Sequence, residues 1–161
     1  SIGLAFVFIS LIMALLFRSA ALLIISLLPN VFPLIVTAGF MGLAGIDIKP
    51  ATAVIFSISF GIAVDDTIHF LARLRQELRL GRPMRDAIRL SLLGTGKAII
   101  LTSIILAGGF AVLTTSQFQS SNYMGGLISL TLVAALAADL LLLPALLHAW
   151  IKFSTVYTRE D

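Results

Sequence analysis

The stretch TAVIFSISFGIAVDDTIHFLA at residues 52–72 decides the fold, because it is apolar for the length of a membrane span yet contains two adjacent acids, Asp65 and Asp66. A helix needs about 20 residues, at about 1.5 Å each, to cross a hydrocarbon layer about 30 Å thick. Similar stretches fill most of the 161 residues, of which 59% are hydrophobic and only 12% charged. Such a chain cannot hide its apolar surface from water, so the sequence predicts an all-α, polytopic membrane helix bundle.

Five transmembrane helices are expected, forming one domain over residues 1–150. They are predicted at about 2–17, 20–44, 52–72, 92–113 and 123–149, followed by a cytoplasmic tail at 151–161. Pro29 and Pro33 predict a kink in the second helix, because proline has no backbone N–H. The chain opens inside an apolar run without a charged region or a cleavage site, so we expect an excised part of a longer protein rather than a signal peptide.

A basic segment at residues 73–90 separates the third and fourth helices and is predicted to be a cytoplasmic loop. It contains six arginines against two acids, namely Arg73, Arg75, Arg79, Arg82, Arg85 and Arg89 against Glu77 and Asp86. Within it, Met84, Ile88 and Leu92 share one helical face, which predicts a short interfacial helix. A solvated loop is the alternative.

Charge asymmetry predicts the orientation of the bundle. If successive helices alternate in direction, ten of the eleven lysines and arginines fall on one side, and only Lys49 falls on the other. Basic residues concentrate in cytoplasmic loops. The segment 73–90 and the C-terminus are therefore expected in the cytoplasm, and the links at 45–51 and 114–122 outside it.

Asp65 and Asp66 are the leading candidates for function and are expected to form a buried pair. Each acid costs about 2.5 to 3.5 kcal/mol at the centre of a membrane helix, and two neighbouring negative charges repel each other. At least one is therefore expected to hold a proton, as a proton carrier must. The alternative is a structural role, with the carboxylates accepting hydrogen bonds from nearby hydroxyl groups.

Depth along the helices suggests partners for this pair in the proton relay. Asp139, Thr102 and Ser103 are expected at a similar level in the membrane, and Lys97 nearer the cytoplasm. Asp139 is either a relay member or a structural acceptor, and Lys97 either a relay member or an interfacial anchor. His69 follows Asp65 by four residues, so it could pass protons inward or simply lie at the interface.

Several other classes of function are excluded or unsupported. The chain has no cysteine, which excludes disulfides and thiolate chemistry, and no metal-ligand spacing is present. The segment Gly94 to Ala98 lacks the residues that a phosphate-binding loop requires. We therefore predict no enzyme, no cofactor and no metal. The basic residues flank membrane spans, so nucleic acid is not an expected partner.

With these motifs in place, the chain resembles the resistance-nodulation-division superfamily of exporters, in its hydrophobe and lipid branch of hopanoid-exporter-like and Patched-like proteins. The resemblance covers essentially the whole chain. Its motifs are GIAVDDTIHF at 61–70, LPNVFP at 28–33, GLAGIDIKPAT at 42–52, DAI at 86–88 and ADLLLLPALL at 138–147. The order of the helices is similar to the last five of one six-helix half, and the DDTIHF form and short tail look more like the second half.

The resemblance implies a proton-driven exporter of lipids or other hydrophobic compounds in the bacterial inner membrane. Asp65 and Asp66 would then be the proton-carrying carboxylates between the two halves. Implied partners are the other half, extracytoplasmic porter domains, membrane lipids and the hydrophobic substrate, while a homo-oligomer stays open. The alternative is a sterol-sensing-type module, which binds lipid and regulates a partner without moving protons.

Overall fold

The computed structural model describes Val7 and residues 20–157, and every regular element within them is helical, which confirms the all-α class. Five α-helices are described: α1 Ala20–Leu43, α2 Pro50–Arg79, α3 Met84–Ala111, α4 Gln119–Ala137 and α5 Leu143–Tyr157. A 3-10 turn, Val112–Thr115, follows α3, and a π-helical turn, Ala138–Leu142, joins α4 to α5.

Four continuous helical stretches in the described part of the chain are long and apolar enough to cross a membrane, and α4, the π turn and α5 together form one of them. These stretches are Ile24–Leu43, Thr52–Arg79, Met84–Thr115 and Gln119–Trp150. The predicted first span, residues 2–17, lies outside the described residues apart from Val7. The protein is therefore an integral membrane protein, and its described part contains four helical stretches of membrane-spanning length and composition.

The helix predicted third, at residues 52–72, is α2 of the structure and continues to Arg79, so the prediction that it ends at residue 72 and passes into a loop was wrong. The helix persists because its apolar stripe continues past the first arginine, with Leu74 buried in the core. Glu77 is also buried, at 2% exposure, and its carboxylate lies 2.6 Å from Arg73 and 3.2 Å from Arg82. These ion pairs fix the end of α2 against the following turn.

Residues 84–90 form the first turns of α3, so the structure has no separate interfacial helix there. Gly81 reverses the chain between the two helices with a φ of +77°, a conformation that glycine adopts without strain. The predicted apolar face is real, but Ile88 is buried in the core, and Met84 and Leu92 pack against the same cluster. This amphipathic face therefore contacts α2 rather than lying on the membrane surface.

The predicted last helix is interrupted at the π turn, because Pro144 lies just beyond it. Proline has no N–H to donate to the carbonyl of Leu140, four residues earlier. The chain responds with a wider turn, in which the N–H of Leu143 bonds the carbonyl of Ala138. Asp139 lies within this turn and is buried there.

Close packing holds α4 against the end of α3. A Cβ atom at Gly125 would lie 2.5 Å from the carbonyl oxygen of Phe110 and 2.7 Å from the Cβ of Leu113. Only glycine allows so close an approach between two backbones. This contact keeps α3 beside α2 and α4, where its hydroxyl groups reach the acidic residues.

Candidate functional site

Three consecutive residues of α2 point in three different directions at the centre of the candidate site. The side chain of Asp65 is 70% exposed, Asp66 is half-buried and Thr67 is fully buried. Successive residues of an α-helix are turned by about 100°, so adjacent acids cannot share one environment. The prediction of a buried pair was therefore wrong for Asp65, which lies on the surface of this chain.

Asp66 faces α3, where Ser103 donates a hydrogen bond to its Oδ2 over 3.4 Å. This distance is long for a hydroxyl-to-carboxylate bond, so the contact is weak in this conformation. Thr102 lies beside Ser103 but donates to carbonyl groups of its own helix, at 3.0 Å from Ala98. The structure thus brings both predicted hydroxyl groups to the same level as the acids, and one of them into contact.

An open cavity of about 350 Å³ lies between α2 and α3 at this level. Its polar lining comes from both helices: Asp65, Asp66 and His69 of α2, and Thr95 and Thr102 of α3. The remaining wall is apolar or glycine. The cavity is large enough for several water molecules, and both acids border it from different faces of α2.

His69 lies one turn beyond the acids, where its Nε2 is 3.7 Å from Oδ1 of Asp65. Both side chains are largely exposed, so their attraction is weak when the imidazole is protonated. The predicted proximity of these residues is present. Lys97 is exposed on α3 and is not among the residues that line the cavity.

Asp139 belongs to a second polar cluster, which is closed. The residue is only 2% exposed, and its Oδ1 accepts a 2.7 Å hydrogen bond from the hydroxyl of Thr67. The same hydroxyl lies 3.2 Å from Oδ1 of Asn30. We call these three residues the closed cluster; none of them lines the open cavity.

Asn30 and Thr67 were not predicted to be functional residues. Asn30 lies between the two prolines of α1 in the LPNVFP motif, and Thr67 belongs to the DDTIHF motif. The sequence did indicate a role for Asn30, since an amide inside a membrane span needs a hydrogen-bond partner. What the pattern could not supply was which helices provide that partner.

Comparison with known proteins agrees with this architecture. The family model of the MMPL family matches residues 1–157. The chain belongs to the MMPL family. That family is part of the resistance-nodulation-division superfamily, so the resemblance seen in the sequence motifs is confirmed at this level.

Similar MMPL-family sequences occur in archaea and bacteria. A protein of Methanocaldococcus jannaschii, described only as a membrane protein, is 34% identical over 131 residues, which is 81% of this chain and 34% of that protein. Two Streptomyces coelicolor proteins with the same description are 31% and 30% identical; the second is ActII-3. The matches cover 70% and 65% of this chain but only 17% and 15% of those proteins. The chain therefore spans about a third or less of these relatives, and no solved structure matches it significantly.

Proposed function

We propose that this MMPL-family chain is a membrane-embedded half of an exporter driven by the proton-motive force, and that Asp65 and Asp66 bind the transported protons. The observation that supports this most directly is the open cavity between α2 and α3, which reaches both acids inside a membrane span. Carboxylates at such a depth are rare and are typical of proton pathways. The cavity gives them access to water.

The exposure of Asp65 argues for a partner. A charged side chain facing lipid is strongly unfavourable, so Asp65 must face either water or another polar protein surface. Since the chain spans at most about a third of the relatives it matches, the remaining half and porter domains of the parent protein are the proposed neighbours. Protons would then be bound and released between the two halves.

Charge movement provides the driving force in this mechanism. Each elementary charge that crosses the membrane potential contributes about 2.3 kcal/mol per 100 mV. Protonation of Asp66 would change its bond to Ser103, and with it the packing of α2 against α3. Ser103 and Thr102 supply hydroxyl groups beside the acids, and His69 lies on the side toward the basic turn, from which a proton could leave.

The proposed location is the bacterial inner membrane, with the C-terminus and the turn between α2 and α3 in the cytoplasm. Three arginines support this orientation. Arg73 and Arg79 lie in the last two turns of α2, and Arg82 lies just after it. Basic groups are retained on the cytoplasmic side. Lipids or other hydrophobic compounds are the proposed substrates, which rests on the branch of the superfamily that the motifs resemble.

The experiment replaces single acids in the full-length parent protein and follows the efflux of lipophilic fluorescent dyes, with a dye chosen because the unmodified protein exports it. Asp66→Asn and Asp65→Asn should each reduce gradient-driven efflux to the level of cells without the transporter. Asp47→Asn is the matched control, because it removes the same charge from the exposed link between α1 and α2. Undiminished efflux by both membrane variants, at equal expression, would refute the assignment.

The same assay separates the exporter from a lipid-sensing module. Collapse of the proton gradient with an uncoupler should stop dye efflux by the unmodified protein. A sensor would instead bind lipid equally well with and without the gradient, and Asp66→Asn would leave that binding unchanged.

A further inference from the structure

We propose that Asp139 forms a second proton-binding site, separate from the open cavity, and that its proton completes a hydrogen-bond chain from the π turn through Thr67 to Asn30 and Ser26. This inference stands on the hydrogen-bond geometry of the closed cluster. It does not depend on whether the acids at 65 and 66 drive export. It assigns a role to a buried acid that is not among the residues lining the open cavity.

The first step is the orientation of the Asn30 amide. Its Nδ2 lies 2.7 Å from the backbone carbonyl of Ser26. A carbonyl oxygen can only accept a hydrogen bond, so the nitrogen must be on this side. The Oδ1 atom of Asn30 therefore faces Thr67 at 3.2 Å, and it needs a donor.

The second step is a count of hydrogens around Thr67. Its hydroxyl has one hydrogen and three oxygen neighbours: Oδ1 of Asp139 at 2.7 Å, Oδ1 of Asn30 at 3.2 Å and the carbonyl of Ala63 at 3.2 Å. The carbonyl of Ala63 already accepts a backbone N–H within α2. Oδ1 of Asn30 and Oδ1 of Asp139 therefore compete for the single hydroxyl hydrogen of Thr67.

An ionised Asp139 leaves this cluster short of donors. Thr67 must then donate to the carboxylate, and Oδ1 of Asn30 loses its only donor in the cluster. The other carboxylate oxygen, Oδ2, is buried and has no hydrogen-bond partner among the described residues. A buried charge with one of its oxygens unpaired is far more costly than a neutral acid in the same place.

A proton on Oδ1 of Asp139 resolves the shortage. Asp139 donates to Thr67, Thr67 donates to Asn30, and Asn30 donates to Ser26, so the Thr67 hydroxyl and the Oδ1 atom of Asn30 each receive a donor. The three distances are 2.7, 3.2 and 2.7 Å, all within hydrogen-bond range. One proton thereby links α1, α2 and the π turn through buried groups.

Other titratable groups lie on the helices packed around Asp139. Asp66 of α2 directly precedes Thr67, the residue that bonds Asp139. The described part of α1 contains no titratable residue, and Lys97 of α3 is exposed. Farther along α2, Arg73 pairs with Glu77. On α5 itself, the ring of His148 hydrogen-bonds the carbonyl of Pro144.

Both ends of this hydrogen-bond chain lie where the backbone hydrogen bonding of a helix is interrupted. Asn30 lies between Pro29 and Pro33, which remove two backbone donors from α1. Asp139 lies in the π turn, where the regular bonding of the helix is already broken. Loss of the proton would turn the Thr67 hydrogen toward Asp139 and free Asn30, so proton occupancy controls whether these two bendable segments are held together.

Infrared difference spectroscopy on the full-length parent protein, reconstituted in lipid at neutral pH without sodium, tests the site. The unmodified protein minus Asp139→Asn should show the carbonyl band of a protonated carboxylic acid. Asn is a suitable replacement because its amide can still donate to Thr67. Asp66→Asn should leave the Asp139 band in place, which separates this site from the open cavity.

Variants at Thr67 test the hydrogen-bond chain without altering the acid. Thr67→Val should shift the Asp139 band, because the acid loses its acceptor, whereas Thr67→Ser should leave it unchanged. Absence of a protonated band assigned to Asp139, with a carboxylate band in its place, would overturn the proposal. Conversion of the protonated band into a carboxylate band on addition of sodium at constant pH would also overturn it, by assigning the cluster to a metal cation. If Asp139→Asn does not fold, carbon-13 labelling of aspartate in the Thr67 variants gives the same decision.

Discussion

The open cavity and the closed cluster lie on different faces of α2, and their acids have different surroundings. Asp66 borders an open cavity of about 350 Å³ and accepts one long bond from Ser103. Asp139 is enclosed by protein, and its Oδ1 lies 2.7 Å from the hydroxyl oxygen of Thr67. The difference shows that a conspicuous acid pair need not contain the most buried acid of a membrane domain.

The two regions also suit different tasks. An acid that exchanges protons needs a route to water, and in the proposed mechanism the open cavity provides it for Asp65 and Asp66. An acid that holds helices together benefits from exclusion of water, because its hydrogen bonds are stronger in a medium of low dielectric constant. Mutations should therefore destabilise the protein most in the closed cluster and affect transport most in the open cavity.

The largest expected effect on stability is that of Thr67→Val, which keeps the shape of the side chain but removes the hydroxyl. Asp139 and Asn30 both lose their partner, and each unsatisfied buried group costs about 1 to 3 kcal/mol. We expect the free energy of unfolding of the full-length protein to fall by about 2 to 4 kcal/mol, measured by denaturant titration in micelles. Thr67→Ser is the matched control and should lose less than about 1 kcal/mol; equal losses for both variants would contradict a hydrogen-bonding role.

A smaller effect is expected on the open side for Ser103→Ala. The bond to Asp66 is long, and Asp66 can replace it with water, so unfolding should become easier by less than about 1 kcal/mol. Dye efflux at different external pH values should nevertheless change, because Asp66 loses its protein donor. A stability loss as large as that of Thr67→Val would show that the cavity is closed, and would remove the contrast between the two regions.

The smallest effect on stability is expected for His69→Gln. The imidazole is 68% exposed and 3.7 Å from Asp65, and exposed ion pairs contribute about 0 to 1 kcal/mol. The free energy of unfolding should therefore stay within about 0.5 kcal/mol of the original value. Gradient-driven dye efflux separates the two roles left open for this residue: a reduced rate at unchanged stability indicates proton transfer, whereas an unchanged rate indicates an interfacial residue.

Much of the architecture could be predicted from local sequence. The described spans overlap the apolar stretches from which they were predicted, because the cost of exposing apolar groups and backbone to the wrong solvent depends on composition over about 20 residues. The prediction of a loop at residues 73–90 was wrong because it also relied on average composition. Its arginines signal the end of the apolar stretch, but Leu74 and Ile88 continue the helical stripe that packs in the core.

The site was predicted only in part. Ser103 and Thr102 were correctly predicted to lie at the depth of Asp66, because the rise along a helix is nearly constant. Asp139 was predicted at the same depth, but the rise along a helix does not show which way a residue faces. That direction depends on the π turn before Pro144, which changes the rotation of the helix without changing its hydropathy.

The sequence by itself determined that this protein lies in the membrane as an α-helical bundle with acids inside its spans, since hydropathy and charge are properties of each segment. Only the tertiary structure decided that Asp65 is exposed, that Asp66 borders a cavity, and that Asp139 meets Thr67 and Asn30. The physical reason is that a side chain's surroundings depend on how neighbouring helices are rotated and packed against each other. No single segment contains that information.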